Sequence, residues 1–140
     1  MQRIIIDTNV LVSGLIQHSY PYLILNELFI ERKIELCISD DLLKEYFDVL
    51  NRKKFSKYPD FVLNAKLVLA GLEMNATKYI PKTKVNIIDD FADNRLLELA
   101  AESKAKFLIT GNTNDFTMSN FKRTKIVSPK DYWENHRPKK

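Results

Sequence analysis

Glycine and proline are scarce in this 140-residue chain, at three and five, and nowhere do they gather with serine into a linker. With no internal repeat and no low-complexity tract either, the chain reads as a single domain over residues 1–140, with a short basic tail from about residue 136. Cysteine occurs once, as Cys37 within IELCIS. An internal disulfide is therefore impossible, as is a multi-cysteine zinc site, and a buried strand thiol is expected. No apolar run approaches the roughly 20 residues needed to span a bilayer, so no membrane partner is expected. The first residues lack a basic region followed by a long apolar core, which speaks against a secretory signal and for a cytoplasmic protein. What is present is ordinary for a globular fold: 45% hydrophobic and 29% charged residues exclude a disordered chain. A net charge of +4 with a pI near 9.1 suits a polyanionic partner without identifying one.

The chain alternates strand with helix. RIII (Arg3 to Ile6) is a strand, and the apolar stretch Val10 to Ile16 follows. Pro21 opens PYLILNELFIER, since proline fits a first helical turn. IELCIS is a second strand, and Ser39 stands where it can cap DDLLKEYFDVLNRKK, whose Asp40 and Asp41 suit the positive end of the helix dipole. Pro59 opens another helix, expected to stop between Gly71 and Asn75. TKYIP and KVNII are short extended segments, DNRLLELAAESKA is a helix, KFLIT a third strand and KIVS a fourth; Ser128-Pro129 starts a closing helix. This order predicts an α/β fold: a three-layer sandwich with a central, mainly parallel sheet of four to five strands flanked by helices.

In such sheets ligand sites lie beyond the carboxyl ends of the strands. Asp7 follows the first strand, Glu45 lies on the helix after the second, and GNTND, with Asn112 and Asp115, follows KFLIT. Each has a bland reading. Asp7 can cap the next helix, with Thr8 and Asn9 bonding nearby backbone or orienting the carboxylate. Glu45 lies just outside the apolar stripe of its helix, where a glutamate is usually solvated. Asp93 is three, four and seven residues before Leu96, Leu97 and Ala100, which aims it coreward. It is either a cap or a group needing a charged or metallic partner, with Asp90 as a neighbour. Asn112 and Asp115 can be plain loop residues. Their shared edge of the sheet is what joins them. Carboxylates brought together repel, and a hard divalent cation such as Mg²⁺ compensates them while activating water for phosphate-ester hydrolysis.

Taken together, these segments resemble the PIN-domain ribonucleases, and among them the toxin components of prokaryotic toxin–antitoxin pairs. IIIDTNVLVSGL is similar to the opening strand with its first acid, Asp7. SDDLLKEYFDVLNR matches the second motif and its glutamate, Glu45. DDFADNRLLELAAESKAKFLITGNTNDF resembles the third and fourth motifs, with Asp93 as the third acid. One position departs: after ITG the family commonly has an aspartate, and here stands Asn112, which brings no charge and weakens a second metal site. Asp115 is a substitute if the loop turns it inward, and Thr110 is a supporting hydroxyl. The resemblance implies an endoribonuclease dependent on Mg²⁺ or Mn²⁺, as one ion or two, that leaves 5′-phosphate and 3′-hydroxyl ends. Asp7 and Asp93 are then direct ligands. Glu45 binds through water or takes a proton from the nucleophile, and Asn9 orients Asp7. A homodimer and a cognate antitoxin are also implied.

Arg52, Lys53, Lys54 and Lys57 follow the Glu45 helix, beside Phe55 and Tyr58, and form the candidate RNA contact: cations for phosphates and an exposed ring for a base. The bland alternative is a solvated helix end. Three rival functions stay open. One is a phosphoacceptor domain, although the second aspartate of haloacid-dehalogenase-like enzymes is replaced by Asn9. The others are a non-catalytic RNA- or protein-binding module of the same fold and a DNA-directed nuclease.

Overall fold

The computed structural model describes residues 1–113, 116 and 118–139. The backbone at Asp7 is still extended, and the chain turns into a helix from Thr8. The elements run β1 (Gln2–Ile6), α1 (Thr8–Ile16), α2 (Tyr20–Leu23), β2 (Ile34–Ile38), α3 (Asp40–Leu50), α4 (Phe61–Asn75), β3 (Thr77–Lys78), α5 (Phe91–Ser103), β4 (Phe107–Ile109), β5 (Asn120–Phe121), β6 (Thr124–Val127) and α6 (Pro129–Asp131). Wider π-helical turns prolong α2 over Ile24–Phe29 and α6 over Tyr132–His136. A 3₁₀ turn, Lys53–Phe55, follows α3.

The sheet order is β3-β2-β1-β4-β6-β5. All pairings are parallel except β5 with β6, an antiparallel pair. Six strands stand where the chain pattern predicts four to five. β3 and β5 have two residues each, too few to show a period. KVNII forms no strand. Its backbone is held instead by two side chains of α5: Asn94 Oδ1 accepts the Ile87 and Ile88 N–H groups at 3.2 and 3.1 Å, and Glu98 Oε2 accepts that of Val85 at 2.9 Å.

Ile4, Ile5 and Ile6 are all at most 1% exposed. Successive strand side chains point to opposite faces, so helices must cover both sides of β1. Phe107, Leu108 and Ile109 of β4 are buried in the same way. Cys37 lies buried in β2, and burial pushes its thiol up to about 12. Ser39 caps α3, its hydroxyl accepting the Leu42 N–H at 3.1 Å. Among the described residues no helix is long and apolar enough to cross a membrane. At the other end of the chain, Gln2 Nε2 donates to the His136 carbonyl at 2.9 Å and the Arg137 guanidinium lies 3.9 Å over the Trp133 ring.

Candidate active site

From β1 the chain moves outward through β2 to β3, whereas β4 lies on the opposite side of β1. The sheet therefore changes direction between β1 and β4, the place where a parallel sheet opens a crevice at its carboxyl edge. Asp7 follows β1 and Thr110 follows β4, and the two meet across that crevice. The Asp7 N–H donates to the Ile109 carbonyl at 2.9 Å. Thr110 Oγ1 donates to Asp7 Oδ2 at 2.8 Å. The Asn112 N–H in turn donates to Thr110 Oγ1 at 3.1 Å, leaving the hydroxyl proton directed at the carboxylate.

Asp7 occupies the cap position of α1, yet its side chain makes no capping hydrogen bond. It is 8% exposed. Desolvation pushes its carboxyl above the ordinary 3.8, offset in part by Thr110 and by the N–H groups of Asn9 and Thr8, and reinforced by the charge of Asp90. None of these influences is a cation. Asp7 is thus a desolvated carboxylate whose charge its described neighbours compensate only in part.

Glu45 reaches the same crevice from α3. Thr8 Oγ1 donates to Glu45 Oε2, so the residue next to Asp7 holds the second acid. The sequence offers Thr8 as an orienter of Asp7; its hydroxyl is spent on Glu45 instead. Tyr46, fully buried beside Glu45, donates its hydroxyl to the Ile6 carbonyl and ties α3 to the end of β1. Tyr46 escapes a reading of the chain because it sits inside the apolar stripe, where an aromatic residue signals only core.

On α5 the cap is Asp90, whose Oδ1 accepts the Asp93 N–H at 3.0 Å. Of the two readings open for Asp93, the cap belongs to Asp90 instead: the helix begins at Phe91, and Asp93 lies in its first turn, half-buried. Asn94, 4% exposed, fastens the loop before the cap, with its Nδ2 donating to the Ile88 carbonyl at 2.6 Å. Asn9 is exposed, and its N–H is the group facing Asp7. Asn112 is also exposed. Asp115 lies outside the described residues.

Between α3 and α5 opens a cleft of about 390 Å³, lined by Glu45, Arg52, Phe91 and Arg95 among others. Phe91 is 72% exposed, and the Arg95 guanidinium lies 4.2 Å over its ring. Arg95 is held from behind by Glu98 and by the Val85 carbonyl. Nothing in the chain marks this pair except its i, i+4 spacing. Lys53, Lys54 and Lys57 are exposed beyond the cleft, and Arg52 joins them to it. The neighbouring rings are not free for a base. Phe55 stacks on Phe61 at 5.2 Å, Tyr58 lies 6.5 Å from the same ring, and both are partly buried against the core.

The donor set suits a hard cation, since every polar group offered by Asp7, Glu45, Thr110 and Asp93 is an oxygen. Among the described residues no three His, Cys, Asp or Glu side chains stand close enough to hold an ion by themselves. These oxygens suit a hard divalent cation that takes one or two carboxylates, keeps several waters and accepts substrate phosphate oxygens as further ligands.

Residues 3–114 match the family profile of the PIN domain. The chain is also 30% identical to an uncharacterized protein of Methanocaldococcus jannaschii over 141 aligned positions, covering 94% of this chain and 90% of that protein.

Proposed function

Because this chain belongs to the PIN-domain family, we propose that it is a metal-dependent endoribonuclease. It hydrolyses RNA phosphodiesters to 5′-phosphate and 3′-hydroxyl ends. The observation that carries this reading is the desolvated Asp7 carboxylate, joined through the DTN turn to Glu45 and approached by Asp90 at the switch point of the sheet. Mg²⁺ or Mn²⁺, as one ion or two, supplies phosphoryl polarisation and a more acidic water when bound there. Asp7 and Asp93 serve as the direct ligands. Thr110 keeps one Asp7 oxygen oriented, and Thr8 does the same for Glu45, which binds through water or accepts the proton of the attacking water. Asn112 closes the remaining side. The attack forms a P–O bond to water and breaks P–O3′, so the phosphate stays on the 5′ end and a proton finishes on the 3′ oxygen. Arg52, Lys53, Lys54 and Lys57 hold flanking phosphates. The exposed face of Phe91 lets an unpaired base stack beside Glu45.

In the cell this reading makes the chain a cytoplasmic toxin, homodimeric and restrained by a cognate antitoxin that covers the cleft. A second reading, a non-catalytic binding module, draws support from Asn112, which removes a charge where the family commonly carries one. Purified protein incubated with total RNA, with and without Mg²⁺ or Mn²⁺, separates the two. Cleavage is expected only with the metal and falls by about a hundredfold or more in Asp7→Asn and Asp93→Asn. Metal-independent cutting, or variants as active as wild type, sinks the nuclease reading. Matched DNA oligonucleotides test the DNA-directed alternative.

A further inference from the structure

Helix α4 buries Phe61, Ala65, Leu69 and Leu72 against the rest of the fold. At 100° per residue, the face directly opposite carries Leu63, Leu67, Ala70 and Met74. A surface helix ordinarily turns charged and polar residues outward there. Instead Leu63 is 58% exposed, Leu67 63% and Met74 80%. Their spacing of four, three and four residues is that of a coiled-coil seam. Lys66 and Glu73 flank this seam on one side, and Asn64 and Gly71 on the other.

We propose that this outer face of α4 is where two copies of the chain associate, the two α4 helices running antiparallel about a two-fold axis. Antiparallel pairing sets Leu67 of one copy against Ala70 of the other, and Leu63 against Met74. The same register places Lys66 of each copy opposite Glu73 of the other, twice over by symmetry. Parallel pairing would set Lys66 opposite Gly71 and form neither ion pair. The charge pattern is therefore matched to itself, in one orientation only. Ala70 lets the axes approach at the centre, and Ile30, 58% exposed across the groove that Leu67 and Gly71 help to line, extends the apolar area beside the seam. Leu63, Leu67, Ala70 and Met74 do not line the Glu45 cleft, so association and chemistry are separable. Failure of the nuclease reading would leave this pairing intact.

Sedimentation of the full chain in EDTA, over a concentration series, is the test. Wild type is expected to dimerise at roughly 1–100 µM, as suits a contact at the small end of specific interfaces. Leu67→Lys should weaken association by at least roughly tenfold while keeping the wild-type circular dichroism and melting temperature. Lys66→Glu should weaken it several-fold, and the exchange Lys66→Glu with Glu73→Lys should restore it. A wild type that stays monomeric at ~200 µM overturns the proposal, and the face then belongs to a different partner. A dimer indifferent to Leu67→Lys overturns it as well, since that dimer uses another surface. A charge exchange that fails to rescue Lys66→Glu rejects the antiparallel register.

Discussion

Burial leaves the Asp7 carboxyl reluctant to ionise, and Thr110 with two N–H groups offsets that only in part. The consequence for stability has a definite sign. Below the ordinary value of 3.8 the group is protonated in the folded and the unfolded chain, and its burial carries no ionic penalty. As pH rises past 3.8, the unfolded chain releases the proton first, and folded stability is lost relative to it. Without divalent cation, Asp7→Asn should therefore melt at a higher temperature than wild type at pH 7, the gap narrowing toward pH 3. Thermal unfolding in EDTA across that range measures it, and equal melting temperatures at pH 7 would contradict it. Thr110→Val acts in the opposite direction. It removes the donor to Asp7 and the acceptor of the Asn112 N–H, with an expected loss of about 1–3 kcal/mol at neutral pH. Urea titrations should show a smaller loss below pH 3.5, where the carboxylate no longer needs the bond. Asp7 and Glu45 can be picked out in the chain by residue type and by place after a strand. That Thr8 serves Glu45 rather than Asp7 cannot, because the rotamer depends on where α3 packs.

At the scale of elements, α5 does more than supply Asp93. Its side chains Asn94 and Glu98 replace the strand pairing that KVNII lacks, and so fix the loop that delivers Asp90. Asn94→Ala deprives three buried or half-buried backbone groups of partners. We expect a loss of about 2–4 kcal/mol and faster hydrogen exchange at the Ile87 and Ile88 amides, with the β1 amides unchanged relative to global unfolding. Equal protection at Ile87 and Ile88 in the variant would show that the loop is held by other means. KVNII looks extended in the chain because its residues favour strands. The competition is decided by Asn94, which is an unremarkable polar residue until the helix turns it toward the loop. The displaced cap has the same origin: DNRLLELAAESKA shows an apolar period from Leu96 onward, and a period cannot say how many polar residues precede its first turn.

Across the whole molecule, Arg52 and the exposed lysines of the turn after α3 form a cationic flank to one side of the Glu45 cleft. Phosphate contacts made there release counterions, so RNA affinity should fall with salt. Replacing both Lys53 and Lys54 with alanine should reduce the slope of log affinity against log salt by about 1–1.4 for a single strand. It should do so without changing which sequences are cut. Fluorescence anisotropy of a labelled oligonucleotide in EDTA at several salt concentrations gives the slope. An unchanged slope removes these lysines from the RNA path.

The order of strands and helices, the parallel sheet and the position of Asp7 just beyond its carboxyl edge were determined by the chain itself. Apolar periodicity, turn residues and capping chemistry are local properties, and β1 and β4 are apolar enough to be recognised as buried on both faces. The tertiary structure alone decided the rest. The two-residue strands β3 and β5 exist because neighbours present open ladder edges to them, not because of their own composition. The reluctance of Asp7 to ionise is created by burial, which no single stretch of residues contains. The outward seam of α4 likewise becomes visible only once packing has shown which of its two apolar faces the core uses.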